Sequence, residues 1–252
     1  MDLGDPVQRF LYYPDRLPPE MPPPRWAAGS QEVWFQAADG MKIHGLWWPE
    51  PEGEPVILFL HGNAQEVYSW SLVREDLAPL GCRLLLIDYR GYGKSEGKPH
   101  EQGLYLDGQA ALDWLRSQGV DHEEIIVFGK SLGGGVACEI SQDLPLRALV
   151  LESTFTSLER VARKLFPLLP LGVRLKERYV SIEKIKRTRS PVLVIHGDRD
   201  ELIPVEEGLE LYRAAPEPKE LYLVPGAGHN DVSMVAGPAY AQHIVEFLNR
   251  YS

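Results

Sequence analysis

Cysteine is scarce in this chain: 252 residues hold only Cys82 and Cys138. Both sit in apolar stretches that read as core, so no disulfide is expected and no redox compartment is implied. No Cys/His spacing of the zinc-binding kind occurs, and no metal is expected. No run of about 18 apolar residues exists, which excludes a transmembrane helix and leaves peripheral membrane contact open. The opening Met1-Asp2-Leu3-Gly4-Asp5-Pro6 lacks the basic and apolar regions of a signal peptide, so the default expectation is cytoplasmic. Basic residues are outnumbered, 26 against 36 acidic ones, for a net charge of −10. A chain so charged repels phosphate backbones, and a nucleic-acid partner is not expected. Otherwise the composition, 44% hydrophobic and 25% charged, is that of an ordinary globular protein.

The length suits one α/β domain with a sizeable core. Residues 1–30 carry Pro6, Pro14, Pro18, Pro19, Pro22, Pro23 and Pro24 and read as an extended arm. Phe10, Leu11, Tyr12, Tyr13 and Trp26 are expected to hold it against a domain spanning 31–252. Two alternating stretches, Gln31–Ala38 and Met41–Trp48, flank Asp39-Gly40 and predict a β-hairpin. Apolar runs follow at Pro55–Leu60, Cys82–Asp88, Glu124–Phe128, Leu146–Glu152, Pro191–His196 and Glu220–Val224. Helical stretches separate them at Ala64–Leu80, Glu101–Ser117, Leu132–Gln142, Val205–Ala214 and Pro238–Tyr251. Buried runs alternating with helices predict a mostly parallel sheet covered on both faces. Ligands of such sheets bind beyond the carboxyl ends of the strands.

Those ends hold two G-x-S-x-G patterns, the signature of a serine on a sharp strand–turn–helix elbow. In Gly93-Lys94-Ser95-Glu96-Gly97 the motif stands four residues past its strand and is followed by Lys98-Pro99, which bars a helix. The charged neighbours of Ser95 suggest a solvated turn. In Gly129-Lys130-Ser131-Leu132-Gly133 the strand runs straight in, and small residues open a helix whose N-terminus points positive charge at the site. Neither dinucleotide nor P-loop spacing is present, so Ser131 is the expected nucleophile.

A serine hydroxyl needs a base. His229 lies in a glycine-rich loop after the last strand, from which an imidazole can reach over the elbow. His196 reads as packing, and His243 sits within a helix. Asp198, Asp200 and Glu201 follow the preceding strand. Asp198 adjoins a glycine turn, where an Asp often bonds its own backbone, so Asp200 is preferred as the acid that orients His229. Glu152 is a weaker acid candidate, better read as a loop anchor. The oxyanion donors are expected to be the backbone N–H groups of Leu132, next to the nucleophile, and Asn63, in His61-Gly62-Asn63-Ala64. His61 reads as structural.

These segments, with Asp88-Tyr89-Arg90-Gly91-Tyr92-Gly93, Glu152-Ser153-Thr154-Phe155-Thr156-Ser157, Arg199-Asp200-Glu201-Leu202-Ile203-Pro204 and Gly228-His229-Asn230-Asp231, resemble the α/β-hydrolases over roughly residues 8–250. The likeness is to the subgroup of serine-aminopeptidase-like and protein-depalmitoylase-like hydrolases. It implies an eight-stranded, mostly parallel sheet, a lid inserted between strands, and acyl-ester, thioester or amide hydrolysis without a cofactor. The lid is expected over 153–190. It opens with a helix-start box, Thr156-Ser157-Leu158-Glu159. Leu158, Val161, Ala162, Leu165 and Phe166 share a helical face, and an apolar turn with Leu168 and Leu169 follows. Phe155, Leu165, Phe166, Leu168 and Leu169 are the expected pocket and lid residues. Ten basic residues against Glu159, Glu177 and Glu183 leave this segment strongly positive. It is either a solvated helical cover or a basic collar that draws anionic amphiphiles. The leading function is a carboxylic-ester or thioester hydrolase acting on a small acyl substrate. The alternatives are a serine exopeptidase or amidase, for which no acidic cluster stands out in the sequence, and a non-catalytic binding module, which the complete Ser, Asp and His set disfavours.

Overall fold

The computed structural model describes residues 12–165 and 177–251. The apolar runs become strands, each bounded by turn residues: β1 (Gln31–Gln36), β2 (Lys42–Trp48), β3 (Val56–Leu60), β4 (Arg83–Ile87), β5 (Ile125–Lys130), β6 (Ala148–Glu152), β7 (Val192–Gly197) and β8 (Lys219–Val224). They form one sheet in the order β1-β2-β4-β3-β5-β6-β7-β8. The β1–β2 hairpin is antiparallel, β2 meets β4 antiparallel, and every later pairing is parallel. The main helices are α1 (Glu101–Ser117), α2 (Leu132–Ile140), α3 (Leu158–Leu165), α4 (Val205–Ala214) and α5 (Pro238–Arg250).

The period-two alternation of the strands divides the core into two layers. Leu58, Leu85, Val127, Leu149 and Val194 face one layer, which Leu112 of α1, Val136 of α2 and Leu211 of α4 complete. Ile57, Leu84, Phe128, Val150 and Leu193 face the other, filled by Tyr240, Ile244 and Phe247 of α5. Burying each such aliphatic side chain contributes about 1.5–3 kcal/mol, so both faces are firmly covered. In such sheets ligands bind beyond the carboxyl ends of the parallel strands, where the loops after β3, β5, β7 and β8 lie.

Three expectations need correction. The single helix expected over 64–80 is a bridge at Ala64–Gln65, two short helices at Val67–Trp70 and Val73–Leu77, and a 3-10 turn at Ala78–Leu80. The first helix begins only at Val67 because carboxylates take its free N–H groups: Asp88 accepts from Val67 N, and Glu66 from Ser69 N. Gln65 stands at φ 67°, which a continuous helix forbids.

The Ser95 loop is buried rather than solvated. Ser95 is fully covered; its hydroxyl donates to Asp88 O (2.7 Å) and accepts from His44 N (2.8 Å). Lys94 finds its countercharge in Glu32 of the hairpin, which the local sequence does not reveal.

In the arm, Tyr12 is buried, whereas Tyr13 and Trp26 are more than half exposed. Tyr13–Pro14 adds a short parallel ladder to Ala64–Gln65, and Trp26 Nε1 donates to Tyr68 O (2.8 Å). Phe10 and Leu11 lie outside the described residues.

A Cβ on Gly133 would lie 1.9 Å from Leu60 O, whereas one on Gly228 would come no nearer than 3.4 Å to Asp231 Oδ1 and 3.9 Å to Arg199 O. Gly133→Ala is therefore expected to cost about 3 kcal/mol or more of unfolding free energy in urea, because backbone must move. Gly228→Ala should cost less than about 1 kcal/mol. Equal costs would refute this account of the packing.

Candidate active site

The strand–helix junction at Ser131 follows from how closely α2 lies under the sheet. A Cβ on Gly129 would stand 2.6 Å from Ala137 Cβ, and Gly133 is pressed against Leu60 O. Between them Ser131 takes φ 53°, ψ −117°, a region that L-residues rarely occupy. Ser131 N donates to Glu152 O (2.9 Å), and its carbonyl accepts from Gly134 N (3.0 Å) and Thr154 Oγ1 (2.7 Å). These bonds hold the strained residue and leave its side chain at the head of the turn.

The loops after β7 and β8 are tied together before they reach the site. A Cβ on Gly197 would stand 2.3 Å from Ala227 O. Arg199 N donates to Ala227 O (2.9 Å), and Gly226 N to Asp198 Oδ1 (2.6 Å). Asp198 thus bonds the neighbouring loop, not its own turn as expected. Asp200, two residues on, reaches His229: Oδ2 lies 2.7 Å from Nδ1. Its Oδ1 accepts from Leu202 N (2.9 Å) and Ile203 N (2.8 Å). His229 Nε2 is 3.0 Å from Ser131 Oγ. With Nδ1–H donating to the carboxylate, the Nε2 lone pair faces the serine hydroxyl.

Burial by itself raises the Asp200 carboxyl pKa. The hydrogen bonds from His196 and His229, the nearby His229 charge and the Ile203 N–H outweigh it, and Asp200 titrates well below the ordinary carboxylate range. His196 is fully buried, and its Nε2–H donates to Ile203 O (2.8 Å), with Asp200 Oδ2 at 3.4 Å. The expected packing residue therefore also adds to the field that keeps Asp200 ionised. Glu152 is buried at the end of β6 and bonded by Lys130 Nζ and Tyr240 OH, while His229 Nδ1 is taken by Asp200.

The loop after β3 lies against Ser131: a Cβ on Gly62 would be 3.5 Å from Ser131 Cβ. Asn63 Oδ1 accepts from Tyr92 OH (3.0 Å) and Tyr13 N (3.3 Å), which fixes the loop from the side. Leu132 opens α2, where an N–H has no acceptor within the helix. His61 is fully buried; its Nδ1–H donates to Gly62 O (2.7 Å), and its ring stacks on Trp70.

A cleft of about 1330 Å³ opens over Ser131 and His229. One wall is apolar: Leu132, Phe155, Leu158, Val161, Ala162 and Ile203. The other holds Phe59, Trp70, Val73 and Tyr240 together with Lys130 and Glu152. Of the expected pocket residues, Phe155 lines the cleft; Phe166, Leu168, Leu169 and the Leu165 side chain lie outside the described residues. Trp70, Val73 and Tyr240 were not anticipated. Tyr240 comes from a helix 109 positions after Ser131, and no motif marks it.

Of the ten basic residues in the 153–190 segment, Arg174 and Lys176 lie outside the described residues, and five of the others are ion-paired. Arg160 pairs with Glu207 and Glu210, Arg163 with Glu159, Lys184 with Glu139, Lys186 with Glu183 and Arg187 with Asp143. Four of these partners, Glu207, Glu210, Glu139 and Asp143, lie outside the 153–190 segment, so its own charge count omits part of its countercharge. None of these basic residues lines the cleft. The helix-start box also differs: Thr156 Oγ1 donates to Glu207, and Ser157 Oγ instead accepts from Arg160 N (3.4 Å). Among the described residues no group of three His, Cys, Asp or Glu side chains could hold a metal, and no helix is long and apolar enough to cross a membrane.

A sheet of this order with a serine, histidine and aspartate on the loops after β5, β8 and β7 defines an α/β-hydrolase architecture. Residues 55–178 match the family model described as the alpha/beta hydrolase fold. The chain is 40% identical to the uncharacterized protein Rv2307c of Mycobacterium tuberculosis, over 96% of this chain and 86% of that one. It is 34% identical to the alpha/beta hydrolase domain-containing protein WAV2 of Arabidopsis thaliana, over 88% and 79% respectively. Among solved structures it resembles the Pyrococcus furiosus esterase Pf2001, with a TM-score of 0.77 at 22% identity, covering 95% of this chain and 99% of the other. The chain belongs to the α/β-hydrolase family.

Burial pushes the His61 pKa from 6.5 down to about 4, with Asp88 and Gly62 O only partly offsetting it. Below pH 6.5 the unfolded chain binds a proton that folded His61 refuses until about pH 4. The stability held by this group is whole above pH 6.5 and is lost as pH falls toward 4. In His61→Gln, the drop in urea stability between pH 7 and pH 4.5 should shrink by about 2 kcal/mol. An unchanged drop would show that His61 does not carry it.

Proposed function

We propose that this chain is a serine hydrolase that cleaves carboxylic esters or thioesters through an acyl-enzyme. The observation that carries this reading is the Asp200–His229–Ser131 chain, with its 2.7 and 3.0 Å links, on the floor of a cleft with one apolar wall. As His229 Nε2 accepts the hydroxyl proton, Ser131 Oγ bonds to the acyl carbon, and the carbonyl oxygen becomes an oxyanion. The N–H groups of Leu132 and Asn63 receive that charge, Leu132 with the added field of the α2 N-terminus. The carbon–oxygen or carbon–sulfur bond then breaks, and His229 returns its proton to the leaving group. Water repeats the sequence in the second half, releasing the acid and free Ser131. Ionised Asp200 holds the ring and stabilises the imidazolium at each stage.

The apolar wall favours an acyl chain as the part bound there, since Phe155, Leu158, Val161 and Ala162 offer no hydrogen-bonding side chain. The similar Pyrococcus furiosus protein is named an esterase, which agrees with this choice.

Ser131→Ala is expected to lower kcat on an activated short ester by about 10⁶ and to abolish labelling by a serine-reactive phosphonate. Ser95→Ala removes two buried hydrogen bonds, so it should lower stability by about 1–2 kcal/mol while the folded protein still turns over. Activity lost only with Ser95 would reject the assignment.

Asp200→Asn should lower kcat by about 10⁴ with little change in far-UV circular dichroism. Asp198→Asn, which disturbs only the link to Gly226, should cost far less. The reverse order would move the acid role to Asp198.

A further inference from the structure

Lys130 stands immediately before Ser131, yet the triad makes no use of it. Alternation along β5 sends Val127 and Gly129 toward the α2 layer and Phe128 and Lys130 toward the α5 layer. On β6, Glu152 points the same way, and the two are register partners across the parallel ladder. Lys130 Nζ and Tyr240 OH both donate to the Glu152 carboxylate. Glu152 is 2% exposed and Lys130 only 12%, and all three residues line the cleft. The result is a nearly dry ammonium, held by a buried carboxylate, with N–H donors left over beside the nucleophile.

The two cleft walls thus differ in chemistry. The wall from the α2 layer bears no polar side chain at Leu132, Phe155, Leu158, Val161, Ala162 or Ile203. The wall from the α5 layer adds the polar Lys130, Glu152, Tyr240 hydroxyl and Ser233 to Phe59, Trp70 and Val73, and the exposed Glu75 and Asp76 also line the cleft. Ser233 and Tyr240 follow His229 in the chain, so this wall continues from the loop that must protonate the leaving group. With the acyl chain on the apolar wall, the leaving group falls on the polar one.

We propose that Lys130, positioned by Glu152 and Tyr240, is a specificity-determining residue that hydrogen-bonds the leaving group, and that the preferred leaving group is an uncharged, hydroxyl-bearing alcohol of the glycerol type. This rests on the serine-hydrolase reading. A glycerol hydroxyl accepts from the Lys130 ammonium and can donate to a carboxylate or serine of the cleft lining. Glu152 already neutralises Lys130, so an anionic alcohol meets the carboxylates of Glu75 and Asp76 without a free countercharge; a cationic one cannot accept from the Lys130 ammonium and is repelled by it, so a neutral hydroxyl is the better partner there. A plain alkyl alcohol leaves the desolvated ammonium donors without a partner.

The test compares kcat/KM for octanoate esters of glycerol, 1-propanol, choline and glycerol phosphate, all below their micellar concentrations. The glycerol ester should exceed the propyl ester about tenfold, the worth of one hydrogen bond to a charged group. Lys130→Met should bring that ratio close to one, mainly through the glycerol ester. Tyr240→Phe, which removes one donor to Glu152, should lower the ratio by a few-fold. A propyl, choline or phosphate ester equal to or better than the glycerol ester in the native protein would overturn the proposal, whatever the variants do. So would a Lys130→Met protein that melts normally but loses both neutral esters in equal proportion, since that is the mark of a structural prop. If no ester is cleaved and the phosphonate leaves Ser131 unlabelled, the serine-hydrolase reading itself has failed.

Discussion

The close approach of α2 to the carboxyl ends of β3 and β5 is the constraint on which the site depends. Gly133 against Leu60 O and Gly129 against Ala137 leave no room for side chains. That packing holds Ser131 at positive φ, aims the first turn of α2 at the same point, and sets Gly62 beside Ser131 Cβ. One steric fact therefore gathers the serine, the helix N-terminus and the β3 loop into one place. Strain of this kind persists only when its surroundings over-determine it. Here the bonds from Ser131 N to Glu152 O and from Thr154 Oγ1 and Gly134 N to Ser131 O do so.

Buried carboxylates do the rest of the positioning, each taking donors from a segment distant in sequence. Asp200 takes backbone N–H groups from its own loop and an imidazole from the next. Asp88 takes Val67 N, His44 Nδ1 and Lys94 N, and so locks the hairpin, the β3 loop and the Ser95 loop together. Glu207 of α4 takes Thr156 N and Thr156 Oγ1, which docks the start of the segment bearing α3. Glu152 takes Lys130 and Tyr240 at the cleft itself. A buried carboxylate lacking such donors would be costly, so each one fixes a loop geometry as the condition of its own burial.

Much of this was legible along the chain. The apolar runs are long enough to be buried strands, and their alternation with helices has few solutions other than a parallel sheet. The glycines around Ser131 and the loops carrying Asp200 and His229 follow strands directly, so their convergence at one sheet edge could be foreseen. The errors share a cause. Ser95 looked solvated because Lys94 and Glu96 flank it, but Glu32, 62 residues before Lys94, supplies the countercharge. The 153–190 segment looked unbalanced in charge because Glu139, Asp143, Glu207 and Glu210, which pair with its basic residues, lie outside it. The helix expected from Ala64 was cut short by Asp88, from the far end of another strand.

By itself, then, the sequence determined whatever rests on local periodicity and on steric need: the strand and helix order, and the glycine-flanked elbow. These depend on residues within a few positions of one another. Only the tertiary structure decided which carboxylate faces His229, which charges are neutralised, and that Lys130 and Glu152 become partners in one wall of the cleft. Those outcomes are set by Coulomb attraction and hydrogen bonding between groups far apart in sequence, whose strength depends on separation and burial. Neither quantity exists until the chain has folded.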